Sequence, residues 1–145
     1  MYDVLAIVEA CTHPFSVVAK KEVENVPFLK QVFKIMKAFM IDREDVRQAM
    51  KTITSVTKEV VSGRNYLIFP EGTRSKNGNN VGSFKGGSFK AATKAKCPII
   101  PVALVDSFKP FDTNSTRPVT VQVHLLLNRE MDTFLLCFTQ AVEMK

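Results

Sequence analysis

The sequence predicts an α/β fold, a single-domain mixed sheet flanked by helices. Short apolar runs alternate with amphipathic segments along the chain, as strands alternating with helices require. The runs are nearly continuous in apolar residues, the pattern of strands covered on both faces by helices. A chain of 145 residues with 46% hydrophobic content has a single-domain length and enough apolar surface for one core.

Each element follows from local pattern. Residues 3–10 carry Val4, Leu5, Ile7 and Val8 and read as one or two helical turns, and Phe15-Ser16-Val17-Val18-Ala19 reads as a short buried strand running into Lys20-Lys21. Pro27 opens a helical pattern with Phe28, Leu29, Val32, Phe33, Ile35, Met36 and Phe39 apolar and Lys30, Lys34 and Lys37 interleaved. Such a helix either packs on the core or rests on anionic lipid. Phe39-Met40-Ile41 fits a short strand, and Asp42-Arg43-Glu44-Asp45 leads into the best helical pattern of the chain. There Val46, Ala49, Met50, Ile53, Val56 and Val60 share a face, and Gly63 stands where a C-terminal cap belongs. Tyr66-Leu67-Ile68-Phe69 is a buried strand stopped by Pro70, followed by a polar, glycine-rich stretch over 71–87. A short helix over 89–95 and strands over 99–105 and 119–126 complete the pattern.

Composition narrows the function. The longest apolar runs, at 66–70, 98–104 and 134–138, fall far short of the roughly 18 residues of a bilayer span, and Met1-Tyr2-Asp3 lacks the features of a signal peptide. The expected compartment is cytosolic. Cys11, Cys97 and Cys137 form no C-x-x-C pair and are odd in number, which argues against a disulfide framework or a zinc site. Charge is concentrated: between 71 and 96, Arg74, Lys76, Lys85, Lys90, Lys94 and Lys96 face Glu71 alone, giving this stretch five of the six net positive charges. A patch of this kind attracts phosphate, whether of nucleic acid, lipid or a small substrate. Two tyrosines, no tryptophan and no recognised nucleic-acid motif speak against nucleic acid.

In open α/β sheets ligands bind beyond the carboxyl ends of strands, which puts Pro70-Glu71-Gly72-Thr73-Arg74-Ser75 at a binding position. Gly72 permits close backbone approach, Thr73 and Ser75 offer hydroxyls, and Arg74 offers a planar fork for two phosphate oxygens. A structural turn with a surface arginine has the same composition.

Phe69-Pro70-Glu71-Gly72-Thr73-Arg74-Ser75 resembles the FPEGTRS signature of the glycerolipid acyltransferases related to 1-acylglycerol-3-phosphate acyltransferase. Ala19-Lys20-Lys21-Glu22, Ile41-Asp42-Arg43 and Pro98-Ile99-Ile100-Pro101-Val102 match further blocks in the family's order, over roughly positions 1 to 105. The resemblance implies an acyltransferase of phospholipid biosynthesis. It would move a fatty acyl group from acyl-CoA or acyl carrier protein to 1-acyl-sn-glycerol 3-phosphate and give phosphatidate. It implies no metal and no bound cofactor, because the thioester co-substrate is already activated. Asp3 matches the aspartate of the family's H-x-x-x-x-D motif, whose histidine would stand five residues earlier, before Met1. Arg74 and Arg43 would hold the acceptor phosphate, with Glu71, Gly72 and Thr73 shaping the pocket and Lys20 within its reach. Lys85, in Ser83-Phe84-Lys85-Gly86-Gly87, is a weaker candidate. His13 and His124 lack an aspartate at the motif's spacing and read as surface or packing histidines.

The resemblance divides the chain into an acyltransferase domain, 1–127, and a divergent tail, 128–145, which matches nothing recognised. It places the protein peripherally at the cytoplasmic face of a membrane, or anchored through a segment before Met1. Its partners would be lysophosphatidate, an acyl thioester, the membrane surface and acyl carrier protein. The alternative is an inactive remnant that binds anionic lipid or phosphate.

Overall fold

A computed structural model describes residues 2–73, 78–109, 118–125 and 135–140. In chain order the elements are α1 (Tyr2–Ala10), β1 (Phe15–Lys20), α2 (Pro27–Ile35), β2 (Phe39–Ile41), α3 (Val46–Val61), β3 (Asn65–Ile68), α4 (Lys90–Ala95), β4 (Ile99–Val105), β5 (Gln122–Leu125) and β6 (Leu135–Gln140). The strands form one sheet in the order β2-β1-β3-β6-β4-β5. All neighbours are parallel except β4 and β5, which are antiparallel. The fold is therefore the predicted mixed α/β sheet.

Helices cover both faces, and the pleat distributes the apolar residues between them. On one face α1 and α2 set Ile7 and Phe33 against Val17, Ala19, Leu67, Ile100 and Val102. On the other, α3 and α4 set Val56, Val60, Ala91 and Ala92 against Val18, Tyr66 and Ile68. Consecutive residues of β1 and β3 thus point into opposite cores, which is why their sequences show no polar alternation. Ile7, Val17, Val56 and Leu67 are fully buried. Each such side chain contributes about 1.5–3 kcal/mol relative to exposure.

The helix ends are specified locally. Asp45 caps α3 by accepting from the backbone N–H groups of Arg47 and Gln48 at 2.9 and 3.0 Å. Gly63, at φ 93°, closes its C-terminus in the left-handed region that glycine occupies without strain. Pro27 starts α2, and the Ala38 N–H returns to the Phe33 carbonyl at 2.9 Å where that helix stops.

Two expectations change, and the structure adds a strand that the sequence reading did not name. The last strand expected over 119–126 spans only Gln122–Leu125 and is an antiparallel edge, with alternating exposed and half-buried positions rather than cover on both faces. The helix expected over 89–95 is α4 preceded by a 3-10 turn at Gly86–Phe89. Residues 135–140, assigned on sequence to the divergent tail, form β6 and lie between β3 and β4. The rest of 128–145 lies outside the described residues.

Because β1, β2 and β3 are parallel, Lys20, the turn that holds Arg43 and the loop from Phe69 onward all emerge at one edge of the sheet. α1 packs on the sheet through Ile7 and leads through 11–14 into the amino end of β1.

Candidate functional site

Where β3 ends, the backbone turns sharply: the Gly72 N–H donates to the Phe69 carbonyl at 3.2 Å and Gly72 adopts φ 68°. The loop is tied twice. The Lys85 N–H donates to the Pro70 carbonyl at 2.8 Å, and the Gly82 N–H donates to Glu71 Oε2 at 2.9 Å. Glu71 is buried, and its carboxylate holds the two limbs of the 71–82 loop together. Its place is beneath the loop rather than in the cavity wall. Thr73 is exposed beside it. Arg74, Ser75 and Lys76 lie outside the described residues.

Arg43, between β2 and α3, reaches the loop directly: its Nη1 donates to the Gly72 carbonyl. Two of the acidic residues around Arg43 are engaged elsewhere. Asp42 accepts from the Glu44 and Asp45 N–H groups and meets the Lys21 ammonium at 3.6 Å, while Asp45 caps α3. The backbone N–H of Glu44 is the largest cause holding the Asp42 carboxyl below its usual value. Burial pulls the Arg43 guanidinium below its usual value, with Glu22 opposing. Arginine starts so high that it remains a cation at physiological pH.

Lys85 converges on the same spot. A Cβ on Gly72 would stand 3.0 Å from Lys85 Cε and 3.2 Å from Nζ, so the side chain lies across the space that glycine leaves open. The sequence ranks Lys85 low because little besides the adjacent Gly86-Gly87 supports it. Lys20 is placed differently: its ammonium pairs with Glu22 at 2.6 Å and it stands outside the cavity lining.

Arg43, Gly72 and Lys85 border a cavity of about 580 Å³ between α3, α4 and the sheet. Ile41, Val46, Ala49, Met50, Ile53 and Ile68 give it apolar walls, and Lys90 and Lys94 add cations from α4. A cationic corner joined to an apolar trough suits an amphiphile with an anionic end, since each half meets its own chemistry. Asp3, half-buried in the first turn of α1, belongs to the opposite helical layer and is outside this lining. His13 and His124 lie apart from the cavity lining. The ring of His13 is near Thr12 Oγ1 and that of His124 near Gln122 Oε1, each at 3.3 Å.

Among the described residues no helix is long and apolar enough to cross a membrane. Cys11 is buried and Cys97 half-buried, both as free thiols.

The family model described as Acyltransferase matches residues 1–105. Among curated proteins the chain is 32% identical over 130 residues to "1-acyl-sn-glycerol-3-phosphate acyltransferase" of Borreliella burgdorferi, covering 87% of this chain and 52% of that protein. Proteins of the same name are 30% identical in Helicobacter pylori, covering 79% of this chain and 49% of the relative, and 32% identical in Escherichia coli, covering 86% and 51%. The chain spans about half the length of these relatives. No solved structure gives a significant match.

Proposed function

The chain belongs to the Acyltransferase family, and from that premise we propose that it transfers a fatty acyl group from acyl-CoA or acyl carrier protein to the free hydroxyl of 1-acyl-sn-glycerol 3-phosphate. The observation that carries the reading is the meeting of Arg43 and Lys85 at Gly72, at the corner of an apolar cavity. There the two cations bind the acceptor's phosphate, with Arg74 and Thr73 from the same loop. A dianion leaving water needs several charge-assisted donors, and one exposed lysine would not supply them. Glu71 acts by holding the loop, and Lys20, its ammonium paired with Glu22, stands at the same edge of the sheet.

In the reaction the acceptor hydroxyl loses its proton to an imidazole oriented by Asp3, five residues after it in the family motif. The oxygen attacks the thioester carbonyl and the new C–O ester bond forms. The C–S bond then breaks, and the leaving thiolate takes the proton from the imidazolium.

The test measures free thiol released from an acyl thioester by a chain extended upstream to carry a histidine five residues before Asp3. Release should require lysophosphatidate and collapse with Asp3→Asn. In a direct binding titration Arg74→Ala should weaken lysophosphatidate at least tenfold and Lys76→Ala less than twofold. Thiol release indifferent to lysophosphatidate, or equal binding by the two variants, refutes the reading.

A further inference from the structure

The core-packing of α2 accounts for only one side of that helix. Phe33 is buried, and Leu29 and Met36 pack beside it against the sheet. Phe28 and Ile35 are 76% and 82% exposed. They are seven residues apart, so two helical turns bring them to the same side, about 10 Å apart along the axis. Lys30 and Lys34 are both exposed, one turn apart, on the other flank of the outward side, with Gln31 between the two flanks. Lys37, in the left-handed turn that ends the helix, adds a third exposed cation. No Asp or Glu occurs between 26 and 40. Of the nearest acids, Glu22 is paired with Lys20 and Glu24 is exposed.

Single exposed apolar residues are ordinary on a protein surface. Here two large ones are aligned on one flank of the outward side, with two cations on the other flank and no acid on the helix. That is the arrangement of a helix lying in a membrane interface, where apolar tips enter the acyl boundary while ammonium groups meet lipid phosphate. We propose that the outer face of α2 docks on an anionic lipid bilayer, with Phe28 and Ile35 inserted and Lys30 and Lys34 on the headgroups. The proposal is independent of the cavity reading, because α2 covers the opposite face of the sheet from α3 and α4.

Vesicle flotation of the full chain tests it, using phosphatidylcholine alone and phosphatidylcholine with about a third phosphatidylglycerol. The unaltered chain should float with the anionic vesicles and lose binding as salt is raised. Phe28→Ser with Ile35→Ser should weaken that partitioning on the order of a hundredfold, through loss of two inserted side chains. Lys30→Gln with Lys34→Gln should weaken it roughly thirtyfold on anionic vesicles and leave phosphatidylcholine binding unchanged. Lys58→Gln with Val61→Ser, exposed on α3, should bind like the unaltered chain. All four substituted positions on α2 are exposed, so circular dichroism should show unchanged folding. Absence of flotation by the unaltered chain, or equal flotation by the Phe28/Ile35 variant, overturns the proposal. So does a dimer in lipid-free sedimentation velocity that Phe28→Ser with Ile35→Ser dissociates, because the face would then belong to a second copy of the chain.

Discussion

Replacing Gly72 by alanine separates two roles of one residue. At φ 68° an L-residue sits in the left-handed region, at a cost of about 1–2 kcal/mol. Alanine recovers part of that by restricting the unfolded chain, about 0.4–1 kcal/mol. The net loss of stability is about 1 kcal/mol, or about 3 °C in Tm for a chain of this length. The new Cβ would also stand 3.0–3.2 Å from the end of Lys85, which is flexible and yields by swinging away from the loop. If Lys85 contacts the ligand's phosphate, that swing removes about 1.5 kcal/mol, the low end for a bond to a charged group because Lys85 is exposed. Lysophosphatidate should then bind about tenfold more weakly. Isothermal calorimetry on Gly72→Ala, Lys85→Ala and the double variant, with thermal unfolding of each, resolves the two effects. In the Lys85→Ala background, Gly72→Ala should cost no further affinity and still lower Tm by about 3 °C. An equal affinity loss in both backgrounds would show that the effect of Gly72 does not run through Lys85, and unchanged affinity of Lys85→Ala would show that Lys85 has no part in binding.

Arg43→Ala should weaken lysophosphatidate binding about ten- to hundredfold in the same titration, with Arg43→Lys only partly restored, since an ammonium cannot serve the Gly72 carbonyl and a phosphate as the guanidinium fork does. Glu71→Ala should lower stability by about 1–2 kcal/mol in chemical denaturation, because the Gly82 N–H loses its carboxylate partner and the loop its tie. Asp42 titrates below its usual 3.8 in the folded chain, so its contribution to stability is present above that value and disappears as pH falls through the folded value. Asp42→Asn should therefore unfold less steeply with acid below about pH 4 in a circular-dichroism pH series.

The sequence by itself determined the elements whose signals are local. Apolar spacing marked α3, Asp45 and Gly63 marked its ends, Pro27 marked the start of α2, and Tyr66-Leu67-Ile68 marked a strand buried on both faces. The loop motif from Phe69 onward also pointed to the site, since a glycine-rich turn after a strand is legible in composition. Only the tertiary structure decided what depends on partners distant in the chain. Strand order is one such property: the apolar run at 134–138 was visible, but nothing local says that β6 lies between β3 and β4 while β5 becomes the antiparallel edge. The cationic corner of the cavity is another. Arg43 reaches a carbonyl 29 residues away, and Lys85 folds back over the space left by a missing Cβ. Those contacts arise because parallel strands release their loops at one edge of the sheet, where side chains separated in sequence come within reach of one another.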